Sequence, residues 1–248
     1  MLVGLPLSSS KCTGFICVNH QIMCGRFTLK SPGRIKFDRV HGSNLPPLFP
    51  RYNIAPSQNV LAVVQNDGER EAASLQWGLI PSWSKDGKGF INARSETIED
   101  KPSFSESFQR RRCLIPADGF YEWQRLGKIA QPYYFQMQDE SPFAFAGIWD
   151  EWQADGKAIA SCAIITTAAN ELLARIHDRM PVILPSELQD KWLDDESEPG
   201  ILRNLLAPFP ASEMLSHAVS YDVNHPKIDE EYLTRPVEPN IGVTPRLF

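Results

Sequence analysis

Cysteine is scarce in this chain. There are five in 248 residues (Cys12, Cys17, Cys24, Cys113 and Cys162), an odd number with no C-x-x-C pair among them. That excludes a disulfide framework, offers no zinc-ligand spacing and fits a reducing compartment, so a cytoplasmic location is expected. No apolar run approaches the roughly eighteen residues that a membrane-spanning helix needs, and no membrane association is expected. Internal repeats and low-complexity tracts are absent too, which excludes a solenoid. The first 22 residues hold no acid, no arginine and one lysine. Without a basic n-region or an A-x-A site they make a poor secretory signal, and without arginine a poor transit peptide. Residues 1–22 are therefore expected to be a removable leader or an over-called start, ahead of one domain over 23–248.

Hydrophobic content of 42% and charged content of 22% are ordinary for a soluble globular protein with a substantial core. A net charge of −5 argues at first against a nucleic-acid partner, but the charge is uneven. Residues 1–184 hold 20 Lys+Arg against 18 Asp+Glu, whereas residues 185–232 hold 3 against 11. A run such as Asp194-Asp195-Glu196 reads as a solvated face. The first three-quarters remains free to present a basic groove, and local patches decide phosphate binding.

Short segments rich in β-branched and aromatic residues recur at 60–65, 72–77, 113–115, 120–124, 133–137, 143–149, 159–166, 182–184 and 217–223. Helical patterns are fewer: 102–111, 169–176, a segment opened by Ser186 with Gln189 as a capping box, 201–206, and a short turn at 229–233. Strands and helices do not alternate regularly. The expected fold is α+β, a single domain with a curled, mostly antiparallel, barrel-like sheet and flanking helices.

What the sequence does contain is Cys24 directly after an internal methionine, in Met23-Cys24-Gly25-Arg26-Phe27. Translation from Met23 and removal of that methionine would leave cysteine at the N-terminus. A 1,2-aminothiol closes on an aldehyde to a five-membered thiazolidine, which an internal cysteine cannot do. Taken singly, the neighbouring polar residues have plainer roles. Cys24 alone reads as a small buried hydrophobe, His177 as a structural histidine, Glu122 as a solvent-facing strand residue and Asn92 as a turn residue after Gly87 and Gly89. Arg110-Arg111-Arg112 reads as a helix end.

Six runs appear in order: Cys24-Gly25-Arg26-Phe27, Arg51-Tyr52-Asn53-Ile54-Ala55-Pro56, Trp77-Gly78-Leu79-Ile80-Pro81-Ser82-Trp83, Asn92-Ala93-Arg94-Ser95-Glu96-Thr97, Pro116-Ala117-Asp118-Gly119-Phe120-Tyr121-Glu122-Trp123 and Ile176-His177-Asp178-Arg179-Met180-Pro181. Together they resemble the SOS response-associated peptidase family, the abasic-site processing proteins. The resemblance implies that Cys24, once N-terminal, attacks the ring-opened aldehyde of an abasic site in single-stranded DNA and ends as a stable thiazolidine cross-link. It matches Asn92, Glu122 and His177 to the catalytic set. Arg26, Arg94 and Arg179 match phosphate contacts, Trp83 and Pro56 match apolar positions against bases, and Thr166 matches a polar pocket position. It implies no metal or organic cofactor, a monomer that joins the nucleoid when bound to DNA, and self-processing as a further, hydrolytic activity. It identifies no replication-fork or other protein partner. Two other readings stay open on the residues: a thiol peptidase pairing Cys24 with His177, and a non-catalytic reader of modified DNA.

Overall fold

The run Phe143-Ala144-Phe145-Ala146-Gly147-Ile148 shows how the chain is covered on two faces. Phe143 and Phe145 join one apolar cluster, while Ala144, Ala146 and Ile148 join another. A strand turns successive side chains to opposite faces, so an unbroken apolar run means that both faces are covered. The computed structural model describes residues 24–35, 40–41, 48–66, 68–127, 129–154 and 156–239; the expected leader at 1–22 and Met23 lie outside the described residues.

In chain order the strands are β1 (Arg26–Leu29), β2 (Val40–His41), β3 (Arg51–Ile54), β4 (Asn59–Asn66), β5 (Glu69–Trp77), β6 (Asn92–Arg94) and β7 (Arg112–Ala117). They continue with β8 (Gly119–Leu126), β9 (Ile129–Met137), β10 (Phe143–Ala154), β11 (Lys157–Ala168), β12 (Arg179–Pro181), β13 (Ile183–Leu184) and β14 (Met214–Ala218). The helices are α1 (Ser105–Arg110), α2 (Ser186–Leu193) and α3 (Pro199–Asn204), and none is long and apolar enough to cross a membrane.

Five strands close a ring. β11 pairs with β10, β10 with β7, β7 with β4 and β4 with β5, all antiparallel, and β5 returns to β11 through a parallel pairing of Trp77 with Cys162. A second, wholly antiparallel sheet has the order β14-β9-β8-β1-β3. Its Phe27 and Phe120 rings pack edge-on against Phe145, with centroids 5.7 Å and 6.0 Å away. The other face of the ring strands lies under the helices, where Leu114, Ile148 and Ile165 meet Phe108, Trp192 and Leu202. The α+β, barrel-like single domain expected from the sequence is the fold observed.

Three local expectations are corrected. Residues 169–176 form only a 3-10 turn at Leu173–Arg175, because Asn170 Oδ1 accepts the N–H groups of Leu172 and Leu173 and competes with helix. Ser186 is not an N-cap: Pro185 takes that position, and Gln189 Nε2 donates to the carbonyl of Leu184. The strand expected over 217–223 ends at Ala218, and Tyr221–Asn224 is a 3-10 turn capped by Ser220.

Gly119 opens β8 beneath Tyr134. A Cβ there would lie 2.0 Å from the tyrosine hydroxyl oxygen and 2.2 Å from Cζ. Tyr134 is fully buried and bonded to Thr28 Oγ1 at 2.9 Å, so it has nowhere to move. Gly119→Ala is expected to destabilise the protein by about 3 kcal/mol in urea unfolding. Gly33→Ala, where an added Cβ meets open space, should stay within about 0.5 kcal/mol of the parent.

Candidate active site

Two neighbouring strands build half of the site. β1 pairs with β8 so that Arg26 lies opposite Tyr121, which runs the residues just before β1 past the middle of β8. There the backbone N–H of Cys24 donates to Oε1 of Glu122 at 2.5 Å. Cys24 is fully buried and Glu122 is 1% exposed. The plain expectation of a solvent-facing glutamate fails because both faces of β8 are covered: Tyr121 packs with Tyr134, Val219 and Val223 on one side, and Glu122 meets Cys24 on the other. Desolvation pushes the Glu122 carboxyl up to about 8, against the pull of the Cys24 and Trp123 N–H groups, with Asp178 adding to the rise. Burial also pushes the Cys24 thiol up, and the charge of Glu122 adds to it. At neutral pH the pocket therefore holds a carboxylic acid and a thiol rather than a carboxylate and a thiolate.

The other half hangs on β11. β6 pairs with it in parallel and β12 antiparallel, so Thr166 has Arg94 as one partner and Pro181 as the other. Asn92 begins β6 and is a strand residue, half-buried. Arg94 is exposed, and Thr166 is fully buried. Arg179, expected to contact phosphate, has its fork on Glu96. Nη1 donates to Oε1, and Nη2 to Oε2 at 2.8 Å as well as to the Thr166 carbonyl at 2.7 Å.

His177 follows the 3-10 turn, and its ring is buried, with the side chain 8% exposed. Two groups compete for Nδ1: the Arg179 backbone N–H at 3.1 Å, which needs a lone pair there, and Asp178 Oδ1 at 2.9 Å, which needs a proton. Burial lowers the His177 pKa more than Asp178 raises it, and Asp178 is largely exposed to water. The ring is therefore neutral, and the Arg179 N–H bonded to Nδ1 leaves its hydrogen on Nε2. That Nε2 is buried without a hydrogen-bond partner among the described residues. An orphaned buried donor is where a ligand atom fits.

The two halves meet. Cys24 shares an apolar cluster with Leu173 and Met180, with Ile91 and Ile176 against it. Gln124 on β8 donates to the Arg175 carbonyl at 3.0 Å. Arg26 is half-buried at the same place, with Nη1 on the Gly25 carbonyl at 2.7 Å and burial lowering its pKa. Trp83 lies in the loop between β5 and β6, 59% exposed, and Pro56 in the turn between β3 and β4. Arg112 is a structural residue, buried and donating to the carbonyls of Phe108, Gln109, Trp192 and Asp194. A cleft of about 710 Å³ lined by Gln65, Arg70, Asp190 and Asp194 contains none of the expected site residues, and its acidic rim repels phosphate. No cluster suited to holding a metal ion occurs among the described residues. Sequence reasoning missed Glu96 and Asp178. The signal was present, since each is an acid inside a motif run, two residues after Arg94 and one after His177.

A family model described as SOS response associated peptidase (SRAP) matches residues 23–226. The chain is 43% identical over 214 residues to the abasic site processing protein YoqW of Bacillus subtilis, covering 83% of this chain and 96% of that one. It is 30% identical over 224 residues to the abasic site processing protein YedK of Escherichia coli, covering 87% and 100%. Against the abasic site processing protein HMCES of Xenopus tropicalis it is 33% identical over 211 residues, covering 71% of this chain and 63% of the relative. A crystal structure of a Bacteroides thetaiotaomicron protein superposes with a TM-score of 0.71 at 30% identity, covering 77% of this chain and 87% of the other. With the match spanning most of the chain and both sheets, this protein belongs to the SOS response-associated peptidase family.

Proposed function

We propose that this protein processes abasic sites in single-stranded DNA and links to them covalently through Cys24 once that residue is N-terminal. The relatives' names as abasic site processing proteins support the substrate. The observation that carries the chemistry is the 2.5 Å contact between the Cys24 nitrogen and a buried Glu122 carboxyl. In the sequence as it stands that nitrogen is acylated by Met23 and cannot form an imine. Cys24 has φ of +40°, a left-handed conformation that costs a non-glycine residue free energy. The constraint vanishes when the preceding peptide bond is cut, which supports the self-processing part of the reading.

With Cys24 free, its α-amine has an ordinary pKa of about 7.7–8.0, so a useful fraction is already a neutral nucleophile. Burial disfavours both charges of an ammonium–carboxylate pair, which favours the amine beside a carboxylic acid. His177 Nε2–H hydrogen-bonds to the sugar ring oxygen as the C1′–O4′ bond breaks, while the C1′ hydroxyl proton passes through solvent water to O4′ and leaves the aldehyde with a free 4′-hydroxyl. The amine adds to C1′. One amine proton moves to the new C1′ oxygen, Glu122 gives its proton to that hydroxyl, which leaves as water, and a protonated imine remains beside the Glu122 carboxylate. The thiol sulfur adds to the carbon of the protonated imine, and its proton passes to the Glu122 carboxylate, which closes the thiazolidine and restores the carboxylic acid. Arg26 and Arg94 supply positive charge for the phosphates, and exposed Trp83 offers a face for an unstacked base.

The thiol peptidase reading needs a thiolate or a base lone pair facing the sulfur. Burial keeps the Cys24 thiol protonated, and His177 turns a hydrogen rather than a lone pair toward its open side. Both features favour the DNA reaction over the Cys–His pair.

Protein beginning at Cys24 should give a heat-stable adduct with single-stranded DNA bearing an abasic site, and far less with duplex. Cys24→Ala should lose that adduct while retaining a borohydride-trappable imine, since its terminal amine survives. The full chain with Met23 retained should give neither. A heat-stable adduct at parental yield from Cys24→Ala would refute thiazolidine formation, and binding without any adduct would favour the non-catalytic reader.

Glu122→Gln keeps shape but cannot exchange a proton, so imine should accumulate and its conversion should slow by roughly a hundredfold. His177→Ala should act one step earlier, slowing imine formation. The two species are counted separately over a time course, and matching kinetics for the two variants would overturn these roles.

Stability of the full chain should also report the buried carboxyl. Its folded pKa of about 8 exceeds the ordinary 4.5, so its contribution is complete below pH 4.5 and is lost as pH rises through 8. Relative to Glu122→Gln, the parent should lose on the order of a few kcal/mol across that window and change little above it. A flat difference in urea unfolding free energy from pH 4.5 to 8 would put the carboxyl in water.

A further inference from the structure

Glu96 has no part in the steps above. It stands in the 3-10 turn Ser95–Thr97, directly after the strand that carries Asn92 and Arg94. Both of its oxygens take the Arg179 fork, and the same Nη2 reaches the Thr166 carbonyl. One two-pronged, charge-assisted contact thus ties β6 to β12 across β11. The hydrogen bond from Arg179 holds the Glu96 carboxyl below the usual carboxylate range, so it is ionised throughout neutral pH. The Arg179 side chain is only 13% exposed while that of Glu96 is 51% exposed. A pair so screened on one side adds little to stability, and its value is geometric.

Arg179 also touches His177, because its backbone N–H donates to Nδ1 while Asp178 Oδ1 competes for the same atom. Whichever partner wins decides whether Nε2 presents a hydrogen or a lone pair to the pocket. We infer that Glu96 is a positioning residue for sugar ring opening: by holding Arg179 in place, it keeps the Arg179 backbone N–H on Nδ1 of His177 and the hydrogen on Nε2. The inference rests on the role proposed for His177. The charged groups acting on the ring are Asp178 and Arg179 beside it and Arg125 from β8, and Asp178 alone favours a proton on Nδ1. Releasing Arg179 therefore hands Nδ1 to Asp178.

The test reads the ring directly. Nitrogen-15 NMR of the His177 imidazole in the full chain without DNA, followed from about pH 5 to 8, reports tautomer and titration together. The parent should show the Nε2–H form. Glu96→Ala should move toward Nδ1–H with a raised imidazole pKa, and Glu96→Gln, which keeps one acceptor, should fall between them. In protein beginning at Cys24, Glu96→Ala should slow imine formation at saturating protein by about tenfold, less than the roughly hundredfold that a 1 Å misplacement of a reacting group costs. Folding is checked from the same spectra, and the Gln variant carries the test if Ala fails to fold. An unchanged tautomer and titration in a folded Glu96 variant would overturn the inference whatever the DNA reaction does. A shifted tautomer in a protein whose parent forms no adduct would sustain it and sink the proposed function instead.

Discussion

The structure turns on keeping one carboxyl group dry. Glu122 sits at the edge of a cluster built from Phe27, Trp77, Phe120 and Phe145, and its first polar neighbour is the nitrogen of Cys24. A buried carboxylate costs several kcal/mol that the N–H groups of Cys24 and Trp123 offset only in part, so the group stays protonated. For this to hold, the chain before β1 must be fixed to a fraction of an ångström, and β1 is fixed from both sides. Phe27 lies edge-on to Trp77 at 5.2 Å, while Thr28 Oγ1 donates to Asp118 at 2.6 Å and the Ser31 N–H donates to the other oxygen of the same carboxylate at 2.8 Å. The apolar face locks depth and the polar face locks register.

The same logic explains the second motif run. Within Arg51-Tyr52-Asn53-Ile54-Ala55-Pro56, Asp229 accepts the backbone N–H groups of Tyr52 and Asn53 and the Arg51 guanidinium. Asn53 Nδ2 in turn donates to the carbonyls of Val223, His225 and Ile228. Among the described residues β3 ends its sheet and pairs only with β1, so its outer edge would expose unpaired backbone groups. The segment from Tyr221 to Thr234 covers that edge and so supports β1 and Cys24 from behind. A run of this kind constrains the site as firmly as a catalytic residue does, through backbone satisfaction instead of proton transfer.

Strands were legible where alternation and β-branched content were strong. The runs at 60–65, 113–115 and 159–166 lie inside β4, β7 and β11, and the barrel-like α+β class follows from their irregular mixing with helices. Closure of the ring was not legible, since the parallel return from β5 to β11 joins residues more than eighty apart with no local signature. At the site, the motif runs named Cys24, Asn92, Glu122 and His177, and the strands bring their segments together. The burial of Glu122 was not readable from Phe120-Tyr121-Glu122-Trp123, because alternation says which face a residue takes and not what covers that face. Nor was the pairing of Arg179 with Glu96, which depends on β6 and β12 flanking one strand.

Charge is arranged so that the pocket itself is nearly neutral and its margin is not. Inside are a protonated carboxyl, a protonated thiol and a neutral imidazole, all held in those forms by desolvation. At the margin stand the guanidinium groups of Arg26 and Arg94, while much of the acid excess lies in residues 185–232. For the proposed substrate, a polyanion with an uncharged aldehyde at the lesion, this would be the favourable division. Phosphates would be drawn by charges that act over about a Debye length, and the reacting carbon would enter a site with no fixed charge of its own. In the proposed reaction an ionised Glu122 would repel the backbone and hold the amine as ammonium. A protonated one would do neither, and would carry the proton for the departing hydroxyl.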